Sequence, residues 1–153
     1  MDAAVAGPFF DPVHKMYHLF YQDHVSIAQN GSNGKPLTGT HGPDWGHVVS
    51  KDFVHWTHLR EAIWNTEWYD LHAIYTGSTT IVDGKPVIIY PGICDQSHVG
   101  CVSGTALAAA VPANTSDPLY QHWTKAPPGG TGADNPLVNN TQRDPSTAWR
   151  CVP

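Results

Sequence analysis

Glycine and proline interrupt this chain so often that no helix-period stretch of useful length fits between them. Fourteen glycines and thirteen prolines are spread over 153 residues, with six Trp, six Tyr and four Phe among them. Between the breakers run short aromatic and β-branched segments, the composition of strands. Met16–Gln22 predicts a strand, bounded upstream by the turn former Asp11-Pro12. Trp45–Ser50 predicts a second, and Lys51-Asp52 turns it into a third over Val54–His58. Ile74–Val82 and Lys85–Tyr90 flank Asp83-Gly84, the strongest hairpin signal in the chain. Ser103–Val111 is alanine-rich and has helix propensity, yet Gly104, Pro112 and its place in a run of strands favour a strand. Gln121–Lys125 adds a short strand, while residues 23–44 and Pro127–Asn140 read as loops. The fold class is all-β. Strand spacing suits a sandwich, barrel or propeller, and the recurrence of hairpin after hairpin favours propeller blades.

Charge removes several functions. The formal net charge is −5, and charged residues make up 14% of the chain, against about 25% in average globular proteins. A nucleic-acid partner calls for a basic stripe that this chain lacks. The longest apolar run, Ala106–Pro112, is too short to span a bilayer, so no membrane partner is expected. Cys94 and Cys101 stand close enough to bridge a loop, leaving Cys151 over, and no Cys spacing suits zinc. Ten histidines invite a metal site, but His14 and His18 lack the intervening Glu and helix of a zinc motif. His55 and His58 would face opposite sides of a strand. No metal and no cofactor are assigned. Asn30-Gly31-Ser32, Asn114-Thr115-Ser116 and Asn139-Asn140-Thr141 are glycosylation sequons that favour a secreted, extracellular or vacuolar parent. The N-terminus carries no basic segment or sustained apolar core of a signal peptide, and a truncated chain reconciles the two.

No G-x-S-x-G elbow or P-loop glycine pattern occurs, so acyl and phosphoryl transfer lack support. The carboxylates say more, because glycoside hydrolysis needs two of them across the scissile bond. In Arg143-Asp144-Pro145, the arginine can hold the aspartate ionised and oriented so that it grips sugar hydroxyls. Alone, that tripeptide is a surface turn with an ion pair. It follows, in one order, Tyr17-His18-Leu19-Phe20-Tyr21-Gln22, the stretch from Trp45-Gly46-His47 to Trp56, Trp68-Tyr69-Asp70, Tyr75-Thr76-Gly77-Ser78 and Asn114-Thr115-Ser116-Asp117-Pro118.

That series closely resembles the N-terminal catalytic region of glycoside hydrolase family 32, the invertases, inulinases, levanases and fructan hydrolases. The likeness runs from about Gly7 to Trp149. It implies a five-bladed β-propeller followed by a β-sandwich, with β-fructofuranosides cleaved in retention of configuration. It implies that Gln22, Trp45, Tyr75, Thr76, Arg143 and Asp144 bind substrate, a sucrose or fructan-type β-fructoside, and that Asp144 stabilises the transition state. By the same likeness, residues 1–153 are an N-terminal fragment of the catalytic propeller, about two blades and the start of a third, without the C-terminal blades and sandwich.

The departures from the family pattern carry equal weight. Aligned on Gly7, Ala4 takes the nucleophile's place in the family's Asn-Asp-Pro-Asn-Gly; aligned on Met1, Ala3 does. The general acid, a Glu in a Glu-Cys motif, should lie beyond Pro153, and Glu61 and Glu67 do not correspond to it. Without nucleophile and acid no covalent route remains. The chain alone is therefore expected to be inactive, with a non-catalytic fructoside-binding module as the alternative. Exposed blade edges predict self-association, and the 23–44 loop is expected at the rim of the substrate funnel.

Overall fold

The structure is a computed structural model that describes residues 5–24, 42–139 and 143–147. Two antiparallel sheets pack face to face. The first holds β1 (Val5–Asp11), β2 (Met16–Asp23), β3 (Asp44–Ser50) and β4 (Thr57–His58), side by side in chain order. The second begins with β5 (Ala73–Ile74) and β6 (Ser78–Val82), which both pair with β7 (Lys85–Ile93). β8 (Thr105–Pro112) follows, and its far edge takes both β9 (Trp123–Thr124) and β10 (Val138–Asn139). Strand order that tracks chain order outward, twice over, is the topology of propeller blades. The expected partial propeller is what the structure shows. The innermost strands β1 and β6 lie beside one another, and Thr147 reaches the backbone oxygen of Thr79 on β6 from the start of a third unit.

Alternation decides which faces meet. On β2, Met16, His18 and Phe20 are buried while Tyr17 and Leu19 are half-buried. Phe20 lies opposite His47 and Gln22 opposite Trp45, so these four share one face. Against that face the second sheet sets Ile74, Ile88 and Tyr90, with Ala106, Ala108 and Ala110 in the same core. Trp45 stacks on Phe20 at 5.5 Å between centroids and tilts against Tyr90 at 6.3 Å. Burying side chains of this size stabilises by about 1.5–3 kcal/mol each. The alanines of β8 explain its conformation. It pairs with β7 on one edge and with β9 and β10 on the other, and its small side chains let the facing sheet pack closely, so tertiary pairing outweighs helix propensity. Its outer edge is completed by an unusual device. β10 pairs Ala106 and Leu107, β9 pairs Val111 and Pro112, and between them the Asn135 amide donates to Ala109 O at 2.9 Å and accepts from Ala109 N at 3.0 Å.

Five sequence expectations are corrected. The third strand shrinks to Thr57–His58, because Ser50 Oγ accepts from the amides of Asp52 and Phe53 and Asp52 Oδ1 from those of Val54 and His55. His55 therefore sits in that turn, not on a strand. The strand predicted over Ile74–Val82 is interrupted at residues 75–77. Gln121–Lys125 yields strand only at Trp123–Thr124. The Pro127–Asn140 loop contains a 3-10 turn at Gly132–Asp134 and the two residues of β10. Strand structure also takes up both ends of the 23–44 loop, at Asp23 and Asp44, and its residues 25–41 lie outside the described residues. Cys94 and Cys101 are joined by a disulfide across the β7–β8 connection. No helix among the described residues is long and apolar enough to cross a membrane.

Candidate functional site

Two β-bulges lie at the same end of the two sheets. Between Ala6 and Phe9, three steps on β1 oppose two on β2, since Ala6 faces Phe20 and Phe9 faces His18. Between Ile74 and Ser78, four steps oppose three on β7, since Ile74 faces Gly92 and Ser78 faces Ile89. An extra residue bends a strand and re-aims its side chains. Glycine makes both bulges feasible. Gly7 has φ +55° and packs against Thr79, and at Gly77 an added Cβ would overlap the Ile89 carbonyl.

The second bulge carries Tyr75 and Thr76, and it is where the predicted site residues meet. Gln22 Nε2, at the end of β2, donates to Thr76 Oγ1 at 2.8 Å. Trp45 Nε1 donates to the backbone oxygen of Tyr75 at 3.2 Å. The Arg143 guanidinium lies over the Tyr75 ring, 5.3 Å from its centroid, a cation–π geometry. Asp144 follows Arg143 directly, exposed, with φ +58°. Four strings, the outermost of them 121 positions apart at Gln22 and Arg143, thus converge at one end of the sheets. Gln22, Tyr75 and Thr76 are half-buried, Arg143 and Asp144 exposed. Trp45 is different: it is fully buried, so it holds the Tyr75 backbone from below while its ring faces the core.

Sequence reasoning missed the frame beneath Trp45. Trp45 N donates to Ile63 O at 3.1 Å, Ala62 N to Trp45 O at 2.8 Å, and Asn65 N to Asp44 Oδ1 at 2.7 Å. Burial pushes the Asp44 carboxyl up to about 6, against the pull of the Asn65 amide. It also missed a buried ion pair further along the same loop, where Lys125 Nζ meets Asp70 Oδ2 at 2.6 Å and Tyr90 donates to the same oxygen at 3.0 Å. The 59–72 loop has no periodic pattern, and the Trp68-Tyr69-Asp70 string gives no reason for Asp70 to meet Lys125, 55 positions on. The buried pair His18 and His47, with Nδ1 and Nε2 3.0 Å apart, lies on the core face between the sheets, stacked on Phe9 and Phe20 and not at the site. No group of three or more His, Cys, Asp or Glu gathers as metal ligands would among the described residues. Ala3 and Ala4, the expected nucleophile position, lie outside the described residues.

Amide, hydroxyl and guanidinium groups around an aromatic ring can satisfy several hydroxyls at fixed angles, the chemistry of a sugar site. The fold is a partial β-propeller that carries this polar set at one end of its sheets. Residues 7–151 match the glycosyl hydrolases family 32 N-terminal domain, and the chain belongs to that family. It is 38% identical over 152 residues to an acid beta-fructofuranosidase of Solanum lycopersicum, covering 94% of this chain and 20% of that protein. Fructan 1-exohydrolase IIa from Cichorium intybus, in complex with 1-kestose, superposes with a TM-score of 0.73 at 33% identity, covering 96% of this chain and 25% of that one. The beta-fructofuranosidase of Schwanniomyces occidentalis, at 22% identity and a TM-score of 0.60 over 91% of this chain and 24% of that one, shows the shared fold. The chain spans about a fifth of the length of the curated relatives it matches.

Proposed function

We propose that this chain forms the N-terminal part of a retaining β-fructofuranosidase propeller and supplies its fructose-binding residues, while being inactive by itself. The remaining blades and a β-sandwich would come from outside these residues. The convergence of Gln22, Thr76, Tyr75 and Arg143 on the bulge carries this reading. In it, Gln22 and Thr76 hold fructose hydroxyls, Arg143 orients Asp144, and Asp144 binds two ring hydroxyls as positive charge develops at the anomeric carbon. Sucrose or a fructan is the substrate class. Inactivity rests on the residues present. Ala3 or Ala4 stands at the nucleophile position, and the glutamates of the chain are Glu61 and Glu67. Glu67 sits in the loop that Asp70 pins, its amide bonded to Asp70 Oδ1 at 2.9 Å. The exposed Phe10 of β1 and the exposed Phe53 and Val54 of the turn between β3 and β4 support association of the chain with itself or with a complementing polypeptide.

Incubation of the purified chain with sucrose and with inulin should release no fructose. Release that is abolished by Asp144→Ala overturns the reading. A second reading, a non-catalytic fructoside-binding module, draws on the same observation, because the Gln22–Thr76 and Arg143–Tyr75 contacts form within these residues. Calorimetric titration with fructose or sucrose separates the two: saturable heat lost in Gln22→Ala favours the binding module, and absence of heat favours the fragment.

A further inference from the structure

We propose that this chain carries a second, peripheral saccharide-binding site, between Trp64 and Trp123 on the outer side of the two sheets. A cavity of about 350 Å3 lies there. One wall comes from the 59–72 loop, which leaves β4 at the edge of the first sheet, and the other from β9, on the outer edge of β8. Trp45 N donates to Ile63 O and Ala62 N to Trp45 O, so Ile63, on the cavity floor, stands one strand position beyond Trp45. Gln22 pairs with Trp45 from the other side. The floor is thus two strand spacings, about 10 Å, from Gln22, with the buried Trp45 between them.

Two indoles and a hydrogen-bonded polar row line this space. Trp123 is anchored by edge contacts to Phe20 at 5.5 Å and to Tyr120 at 6.1 Å. Trp64 is half-buried and belongs to no ring pair among the described residues, so no aromatic partner covers its face. The polar row runs outward from the interior. Lys125 Nζ donates to Asp70 Oδ2 at 2.6 Å and to Thr66 Oγ1 at 3.3 Å, and Thr66 Oγ1 donates to Glu67 Oε1 at 3.4 Å. An ammonium has three N–H groups, so among the described residues one is left on Lys125. Thr66 and Glu67 are exposed, which keeps the mouth of the cavity open.

Charge decides the class of ligand. An anion would meet Glu67, with Asp70 beneath it, and a cation would meet Lys125. A neutral ligand escapes both penalties while its hydroxyls donate to Glu67 and accept from Lys125. An apolar ring face suits the indoles. Hydroxyls around a neutral ring with an apolar face describe a sugar unit, and the volume falls within the roughly 300–1,000 Å3 usual for small ligands. The open mouth lets that unit belong to a longer polysaccharide.

The test is electrophoresis of the full chain in native gels cast with levan, a fructan, or with dextran, a glucan, against gels without polysaccharide. Retardation by at least one is expected, and the one that retards gives the source of the sugar. The dissociation constant read from mobility should rise about tenfold in Trp64→Ala, the worth of roughly 50–60 Å2 of ring face, and recover in Trp64→Phe. Glu67→Ala, at an exposed position, should also weaken retardation, and it decides the matter if Trp64→Ala does not fold. Gln22→Ala should leave retardation intact. Three results overturn the proposal: no retardation by either polysaccharide, retardation that a folded Trp64→Ala leaves unchanged, or retardation abolished by Gln22→Ala. The last of these is binding at the bulge, so this proposal can fail while the proposed function stands.

Discussion

Replacing Lys125 with methionine removes the ammonium that touches Asp70, and the structure sets the size of the loss. Asp70 is fully buried, and the Lys125 side chain is 15% exposed. What remains on the carboxylate is the Tyr90 hydroxyl at 3.0 Å and the Glu67 amide at 2.9 Å. A buried carboxylate left without its cation costs about 3–5 kcal/mol. Asp70→Asn should cost less, about 1–3 kcal/mol, because it forfeits a charge-assisted hydrogen bond while Lys125 can turn toward water. The double variant Asp70→Asn/Lys125→Met carries no unpaired buried charge and should recover most of the Lys125→Met loss. Urea unfolding of the four proteins at neutral pH gives the coupling directly. The Lys125→Met deficit should also shrink in acid, because burial already raises the Asp70 carboxyl and a protonated group needs no cation. A loss below about 1 kcal/mol for Lys125→Met, or a double variant no more stable than that single one, refutes the reasoning.

Two further predictions concern the core and the bulge. Burial holds His18 at about 4 and His47 at about 3, with Asp11 and Asp117 pulling His18 upward and His14 pushing it down. The unfolded rings bind protons near 6.5, so stability is complete above that pH and declines as pH falls, by up to about 1.4 kcal/mol per pH unit for each ring. Urea midpoints measured at about pH 7 and about pH 5 should differ, and His47→Gln should reduce the difference by about half; equal midpoints in the wild type refute this. Gly77→Ala forces a Cβ into the Ile89 carbonyl and should cost about 1–3 kcal/mol in thermal unfolding. Gly132→Ala, whose nearest neighbour lies at an ordinary 3.5 Å, is the control that should lose little.

Strand identity was legible wherever one residue's environment repeats along the strand. Met16–Tyr21 alternates buried and half-buried side chains, and Asp83-Gly84 closes its hairpin with Val82 opposite Lys85, as turn chemistry dictates. Misreadings fell where hydrogen bonds from side chains override alternation. Asp52 gathers the residues predicted to extend the third strand into a turn, and Asn135, reaching Ala109 from 26 positions away, completes a strand edge from what read as a loop. The Asp52 turn is local and was read too short, whereas the Asn135 bond has no spacing or composition signal. The site residues were named by family likeness, not by periodicity, and their separation along the chain gave no local reason for Gln22 to reach Thr76.

The amino-acid sequence by itself determined an all-β chain of blade-like hairpins, its turns, and the polar set available for a sugar. Those properties depend on the pleat and on the φ preferences of glycine, proline and aspartate, which act within a few residues. Only the tertiary structure decided that Tyr75 and Thr76 ride on a bulge, that Trp45 is buried beneath them, and that Arg143 lies over the Tyr75 ring. A bulge is a mismatch between two strands, and burial depends on what the opposing sheet supplies. Both are properties of pairs of segments brought together by packing, so neither is written in either segment alone.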